Sequence, residues 1–351
     1  MPNKKYVITA YAQDPTLPLI TREAASKLSH LNVAFGLVRD GEVHVDHLEN
    51  LHCLETIRQY NTELKILLSI GGWGAGGFSE AAGTMHGQQV FAKTAVAILK
   101  AHHLDGLDLD WEYPCHSQAN IGSSPDDKYT FTLLLAEMRR QLDEQGTKDR
   151  RHYLLTIAVG ADQFFIDGTE MDKVQACLDL VQIMTYDMRG GFQTVTGHHT
   201  NLFTPTGDLF RISVDASVNM YLRAGVPHEK IVIGAAFYSR KWTGVPNRHN
   251  GLHQMAASNG GFGPGYSELV ADFINKDGYK RYWDNEAKAP YLFDGSTFIS
   301  YDDEMSVHEK CEYIKHTEVA GIMYWEHGFD PAGNLLDVMF DSLGPSGSKT
   351  L

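Results

Sequence analysis

In the stretch Asp105-Gly106-Leu107-Asp108-Leu109-Asp110-Trp111-Glu112-Tyr113-Pro114, acids and apolar residues alternate from Leu107 to Glu112. Side chains on a strand point to opposite faces in turn. Asp108, Asp110 and Glu112 therefore share one face, and Leu107, Leu109 and Trp111 share the other. Residues two apart on a strand sit about 6.5–7 Å apart. Three carboxylates so close, away from bulk water, do not all ionise cheaply, so at least one is expected to hold a proton. A carboxyl raised towards neutrality is what a general acid requires.

Working outward, short apolar runs recur on both sides of this strand. They are Tyr6–Tyr11, Leu31–Leu37, Lys65–Ile70, Tyr153–Val159, Leu178–Thr185, Ile231–Phe237 and Gly321–Trp325, with Gly106–Trp111 making eight. Several are almost continuously apolar, as strands covered on both faces are. The segments between them carry helix signals. Phe131, Leu134, Leu135, Met138 and Leu142 form one stripe, with Ser124-Pro125 as its expected start. Leu48, Leu51, Leu54 and Ile57 form another. Eight strands with helical crossovers predict a (β/α)8 TIM barrel, an α/β fold. An open doubly wound sheet gives a similar alternation, so closure rests on the count.

More than eighty residues separate Phe237 from Gly321, too many for one crossover helix. Asn259–Gly265 is turn-rich. A short helical pattern follows (Ser267–Asn275), then an aromatic run (Tyr279–Trp283) and two strand-like pieces (Tyr291–Phe293, Thr297–Tyr301). We expect a small α+β insertion at 243–299 between the seventh and eighth strands, with the barrel at 1–242 and 300–343. The tail 344–351 is expected to be disordered.

The chain of 351 residues is 43% hydrophobic and 21% charged, with a net charge of −14. That balance disfavours nucleic acid and anionic membranes as partners, and no apolar run is long enough to span a bilayer. The N-terminus shows no secretory h-region or cleavage site. The chain is thus expected to be cytoplasmic, or secreted with a signal since removed. Cys53, Cys115, Cys177 and Cys311 form no C-x-x-C pair and read as reduced thiols.

The carboxylate face has other readings. A solvated acidic strand end does not explain the apolar residue at every alternate position. A metal site needs further ligands, and the pairs His102-His103 and His198-His199 lack the i, i+4 spacing of a zinc helix. The latter two read as loop residues. Ser69 lies in no G-x-S-x-G elbow. It reads as a hydrogen-bond partner below the acids, with Gly71 and Gly72 allowing close backbone approach. Trp111 and Asp105 read as structural, and Trp242 and Trp283 stay undecided.

Asp105–Glu112 also resembles the D-x-x-D-x-D-x-E signature of glycoside hydrolase family 18, the chitinases, and Trp111, Tyr113 and Pro114 are similar to its flanks. Ser69-Ile70-Gly71-Gly72-Trp73 resembles the family's S-x-G-G segment, and Met184-Thr185-Tyr186-Asp187 its M-x-Y-D segment. Phe237-Tyr238-Ser239-Arg240 resembles F-Y-G-R with Ser239 for glycine, and Ala236 stands where proline is common, so small changes are expected in that loop. Gly321–Trp325 resembles the last strand, and Tyr11 and Phe35 sit where the first two strands place aromatics. The resemblance covers nearly the whole chain.

The resemblance implies hydrolysis of chitin or chitooligosaccharides with retention, the substrate's own acetamido group acting as nucleophile. Glu112 would be acid and then base, and Asp110 would orient the acetamido N–H. Asp108 would share a proton or hydrogen bond with Asp110, and Tyr186 would donate to the acetamido carbonyl. Trp325 would floor the −1 sugar and Trp73 would flank the scissile bond. Tyr11, Phe35, Ser69, Tyr113, Met184, Asp187, Tyr238 and Arg240 would complete the substrate contacts. No cofactor or metal is implied, and a monomer is expected. Two alternatives are an endo-N-acetylglucosaminidase acting on glycoprotein glycans or peptidoglycan, and an inactive chitin-binding lectin. The presence of Glu112 argues against the lectin.

Overall fold

Runs of Val, Ile and Leu suit strands packed on both faces. In the computed structural model, which describes residues 6–344, each such run forms one. They are β1 (Val7–Gln13), β2 (His30–Arg39), β3 (Lys65–Gly71), β4 (Gly106–Asp110), β5 (Leu154–Gly160), β6 (Leu180–Met184) and β7 (Ile231–Ala236). Five further strands follow: β8 (Tyr238–Thr243), β9 (Gly261–Gly265), β10 (Lys280–Asp284), β11 (Ala289–Phe293) and β12 (Thr297–Ser300). The last is β13 (Gly321–Trp325).

β1 pairs in parallel with both β2 and β13, so the sheet closes on itself and the open-sheet alternative falls away. The chain is a (β/α)8 barrel. Its register sets Ser69 of β3, Asp108 of β4 and Thr156 of β5 at one height. The outward face of β4 meets the helical layer. Trp111, just past the strand, is buried, stacked on Phe78 at 5.4 Å and edge-on to Phe131 at 5.4 Å.

The helix Asp127–Asp149 buries the stripe Phe131, Leu134, Leu135, Met138 and Leu142. It starts later than Ser124-Pro125 suggested. The Asp127 carboxylate accepts from the backbone N–H of Ser124 and of Cys115, so the preceding turn is tied to the strand-β4 loop instead of capping the helix. Leu48 and Leu51 likewise precede their helix, which covers Cys53–Tyr60.

A short strand, Glu42–His44, pairs antiparallel with β2, and strands β8 to β12 form a separate antiparallel sheet in the order β9-β8-β12-β11-β10. Its own core gathers Trp242, Val245, Ala256, Tyr291, Phe293 and Phe298, which gives Trp242 a packing role. Most of the turn-rich stretch is strand, since Gly261–Gly265 pairs with β8. The residues after it make a single α turn (Tyr266–Glu268) and a wider π turn (Leu269–Phe273). Most of the 344–351 tail lies outside the described residues. None of the described helices is long and apolar enough to cross a membrane.

Candidate active site

The three acids of the β4 stretch stand in a column inside the barrel, and each meets a different environment. Asp108 is fully buried. Its carboxylate accepts from Tyr11 Oη (2.9 Å), Ser69 Oγ (2.7 Å), Thr156 Oγ1 (2.5 Å) and Gln182 Nε2 (3.0 Å). Burial raises its pKa, and those four donors pull against the rise. The donors do not include Asp110, so the hydrogen bond expected between the two acids is replaced by this ring. Asp110, one layer higher, has an Oδ1 with no hydrogen-bond partner. Burial first, then the charges of Glu112 and Asp108, push its pKa well up.

Glu112 stands at the mouth. Burial pushes its carboxyl up to about 7, with Asp187 adding to the rise and a hydrogen bond with Tyr113 opposing it. A glutamic acid near 7 holds its proton at slightly acidic pH and gives it up readily, as a general acid must.

Close backbone approach lets β3 stand beside this column. A Cβ on Gly71 would lie 2.1 Å from the Asp110 carbonyl oxygen, and one on Gly72 would lie 2.8 Å from the Phe35 ring. Both glycines have positive φ (122° and 92°).

The rim works differently. Asp187 sits at φ 54°, just beyond β6, and accepts from Arg240 Nε at 2.6 Å. His199 Nδ1 lies 3.6 Å from the same carboxylate and accepts from the Asp187 backbone N–H at 3.4 Å. Burial would raise this carboxyl, but His199 and Arg240 outweigh it and hold Asp187 well below the usual carboxylate range. Arg240 is in turn capped by the Phe262 ring at 3.9 Å. Ser239, in the glycine position, donates to the Pro264 carbonyl, and the Ala236 N–H donates to Asp302 Oδ2, a bond that proline could not make.

Between column and rim lies an apolar bed. Met184 is buried with Tyr11, Val232 and Met323, and Tyr113, Tyr186 and Trp325 pack against that group. Tyr186 points its hydroxyl at Met323 Sδ (3.7 Å). Burial, then the charges of Asp110 and Glu112, keep the phenol protonated and therefore a donor. Tyr238 packs edge-on to Tyr186 at 6.0 Å. Trp325 stacks on Phe35 at 5.4 Å, and Tyr11 tilts against it at 6.0 Å. Three peptide bonds are cis: Ala34–Phe35 within β2, Glu112–Tyr113 just past β4, and Trp325–Glu326 at the end of β13. Trp73 is 54% exposed beside Tyr113 (6.4 Å) and Phe192 (6.3 Å), and Phe192 is itself 76% exposed.

All fourteen residues singled out from the sequence thus lie in this column, its bed or its rim. Asp105 is a structural anchor. It pairs with Arg58 and Arg151 below β4 and accepts from the Ile66 N–H. Sequence reading missed Thr156 and Gln182, although a lone polar residue inside Leu-Leu-Thr-Ile-Ala-Val and Leu-Val-Gln-Ile-Met was a usable signal. It also took His199 for a simple loop residue, whereas the ring is buried against Asp187. Nothing local marked Phe192 or Phe262.

The family model for glycosyl hydrolases family 18 matches residues 5–330. Chitinase A1 of Niallia circulans is 40% identical over 294 residues, covering 79% of this chain and 42% of that protein. Chitotriosidase-1 of Mus musculus is 32% identical over 281 residues, covering 78% of this chain and 60% of that protein. The chain thus matches only part of each relative's length. Among solved structures, a family 18 N-acetylglucosaminidase from Paenibacillus barengoltzii is 61% identical with a TM-score of 0.95, covering 96% of this chain and all of that one.

Proposed function

The chain belongs to glycosyl hydrolase family 18, and from that premise we propose that it is a retaining chitinase that cleaves β-1,4 bonds between N-acetylglucosamine units. The observation that carries this reading is Glu112, raised to about 7 by burial at the mouth of the acid column.

The reaction uses the substrate as nucleophile. As the glycosidic C1–O bond breaks, Glu112 passes its proton to the leaving oxygen. The acetamido oxygen of the −1 sugar bonds to C1 from the other side, giving an oxazolinium ion. Asp110, whose Oδ1 has no partner in the barrel, accepts from the acetamido N–H and so stabilises the developing positive charge. The protonated Tyr186 donates to the acetamido oxygen and orients it. Glu112, now a carboxylate, takes a proton from water, whose oxygen attacks C1 and reopens the ring with net retention. Asp108 is fixed by its donors and keeps negative charge beneath Asp110. Preorganised groups in a dry pocket carry most of the effect.

Trp325 offers a flat apolar floor for the −1 ring, and Trp73 with Phe192 offers a platform beside Glu112 for the leaving sugar. We assign 243–299 as a small α+β insertion that raises one wall of the cleft. The substrate is a neutral sugar chain handled by a monomer, which suits an acidic protein without affinity for nucleic acid or membrane.

A second reading is release of single N-acetylglucosamine units. It is favoured by the 61% identity with the Paenibacillus barengoltzii enzyme described as an N-acetylglucosaminidase. Incubation with N-acetylglucosamine hexamer, read by mass spectrometry with Glu112→Gln in parallel, tests both. Dimers and trimers from the wild type and almost none from the variant support the chitinase; monomer and pentamer from the first turnovers support the second reading. An intact hexamer under several buffers overturns both.

A further inference from the structure

Lys310 and Asp302 form an ion pair at 2.6 Å with both side chains completely buried. The mechanism above does not use it. Such a pair loses its hydration on folding, and apolar residues of similar volume commonly stabilise as well or better. Its contacts show what it holds. Lys310 Nζ also donates to Thr200 Oγ1 at 2.6 Å. The Thr200 hydroxyl proton reaches either the Thr185 carbonyl or Asp302 Oδ2, each at 3.0 Å. Asp302 Oδ2 accepts from the Ala236 N–H at 3.0 Å, and Oδ1 accepts from Ser306 Oγ at 2.7 Å.

Those partners converge on the active site. Thr185 immediately precedes Tyr186 and Asp187. Ala236 ends β7, one residue before the Phe237-Tyr238-Ser239-Arg240 segment. The neighbour of Thr200, His199, faces the Asp187 carboxylate, takes the Met188 N–H on its carbonyl (3.1 Å), and is itself held by Ser300 Oγ (2.9 Å). The piece 199–200 therefore clamps 185–188, and the buried pair clamps the piece 199–200. A helix, the end of the second sheet and the tops of two barrel strands meet at one ammonium and one carboxylate.

From this geometry we infer that Lys310 and Asp302 are positioning residues for Tyr186 and Asp187, fixing them against Asp110 and Glu112. The inference rests on the catalytic roles proposed above. It predicts a rate effect beyond any loss of stability. The groups facing Glu112 are Asp110 from its own strand, Tyr113 beside it, and Tyr186 and Asp187 from the top of β6. Asp187 raises the Glu112 pKa. If the segment recedes, that push weakens and the alkaline limb of the pH profile moves to lower pH.

The test compares wild type with Lys310→Met, Asp302→Asn and the double variant. Lys315→Met, on the exposed face of the same helix, serves as control. The single variants leave a buried group without its partner and can fail to fold. The double variant removes both charges and keeps the test open. For folded double variant, kcat is expected to fall about 10–100-fold, the scale of an ångström's misplacement. KM should stay within about threefold, and the alkaline limb should shift about half a unit towards acid. Lys315→Met should match wild type. A folded double variant with wild-type kcat and an unmoved limb overturns the inference. Crystal structures of the wild type and the double variant read the position of Tyr186 against Asp110 directly. A wild type inert on every sugar would sink the functional reading, while those structures would still decide this one: a displaced Tyr186 supports it and an unmoved one overturns it.

Discussion

Asp110 and Asp187 are both carboxylates within reach of Glu112, yet the protein treats them in opposite ways. Asp110 stands in the barrel among other acids, with one oxygen lacking any partner, and its pKa is pushed well up. Asp187 stands at the rim between His199 and Arg240 and is held well below the ordinary range. Identical side chains thus become a carboxyl that favours its proton and a fixed negative charge. Burial alone does not separate them, since it raises both; the contacts with His199 and Arg240 decide. The column can trade protons during a reaction, while the rim only sets the field in which they move.

The contrast can be broken most sharply at Glu112. Glu112→Gln removes the transferable proton and should lower kcat about 10²–10⁴-fold with KM little changed, measured on a chitooligosaccharide in steady state. If kcat drops less than tenfold, the column is not the proton source. Next come Asp110→Asn and Tyr186→Phe, each expected to cost about 10²-fold in kcat, because each removes a group aimed at the acetamido charge.

A rim substitution should behave differently. Asp187→Asn should cost only about tenfold in kcat/KM and should leave its mark on pH dependence. The sign follows from Glu112 acting as an acid. The free enzyme loses activity as pH rises through the Glu112 pKa, about 7 in the wild type. Removing the Asp187 anion lowers that pKa, so the alkaline limb should move to lower pH. A limb that moves upward, or stays still, would break the link between rim and column. The smallest effect belongs to the platform. Trp73→Ala and Phe192→Ala should raise KM about three- to tenfold with kcat nearly intact, as loss of an exposed stacking surface implies.

The column was legible from the sequence and much of its support was not. Alternation from Leu107 to Glu112 set the inward and outward faces, and it placed Trp111 against the helices, where Phe78 and Phe131 hold it. Eight apolar runs located the barrel strands to within a few residues. Thr156 and Gln182 reach Asp108 from strands 48 and 74 residues away, so only the closed register brings them together. The environment of Asp187 depends on His199 and Arg240, which arrive from a loop and from the second sheet. Hence the sequence alone separated the two aspartates by position and expected role and gave no sign of the contacts that hold Asp187 charged. Non-proline cis peptide bonds carry no local signal at all.

The most direct test of the central claim is the titration of Glu112 itself. Protein labelled with ¹³C at the glutamate carboxyl carbons would be followed by NMR across the pH range, with Glu112→Gln identifying the resonance. The account predicts one signal, absent in the variant, with a midpoint at about 7. A Glu112 midpoint in the ordinary glutamate range, about 4.3, would mean that the column does not hold the proton, and the assignment of the general acid would fail with it.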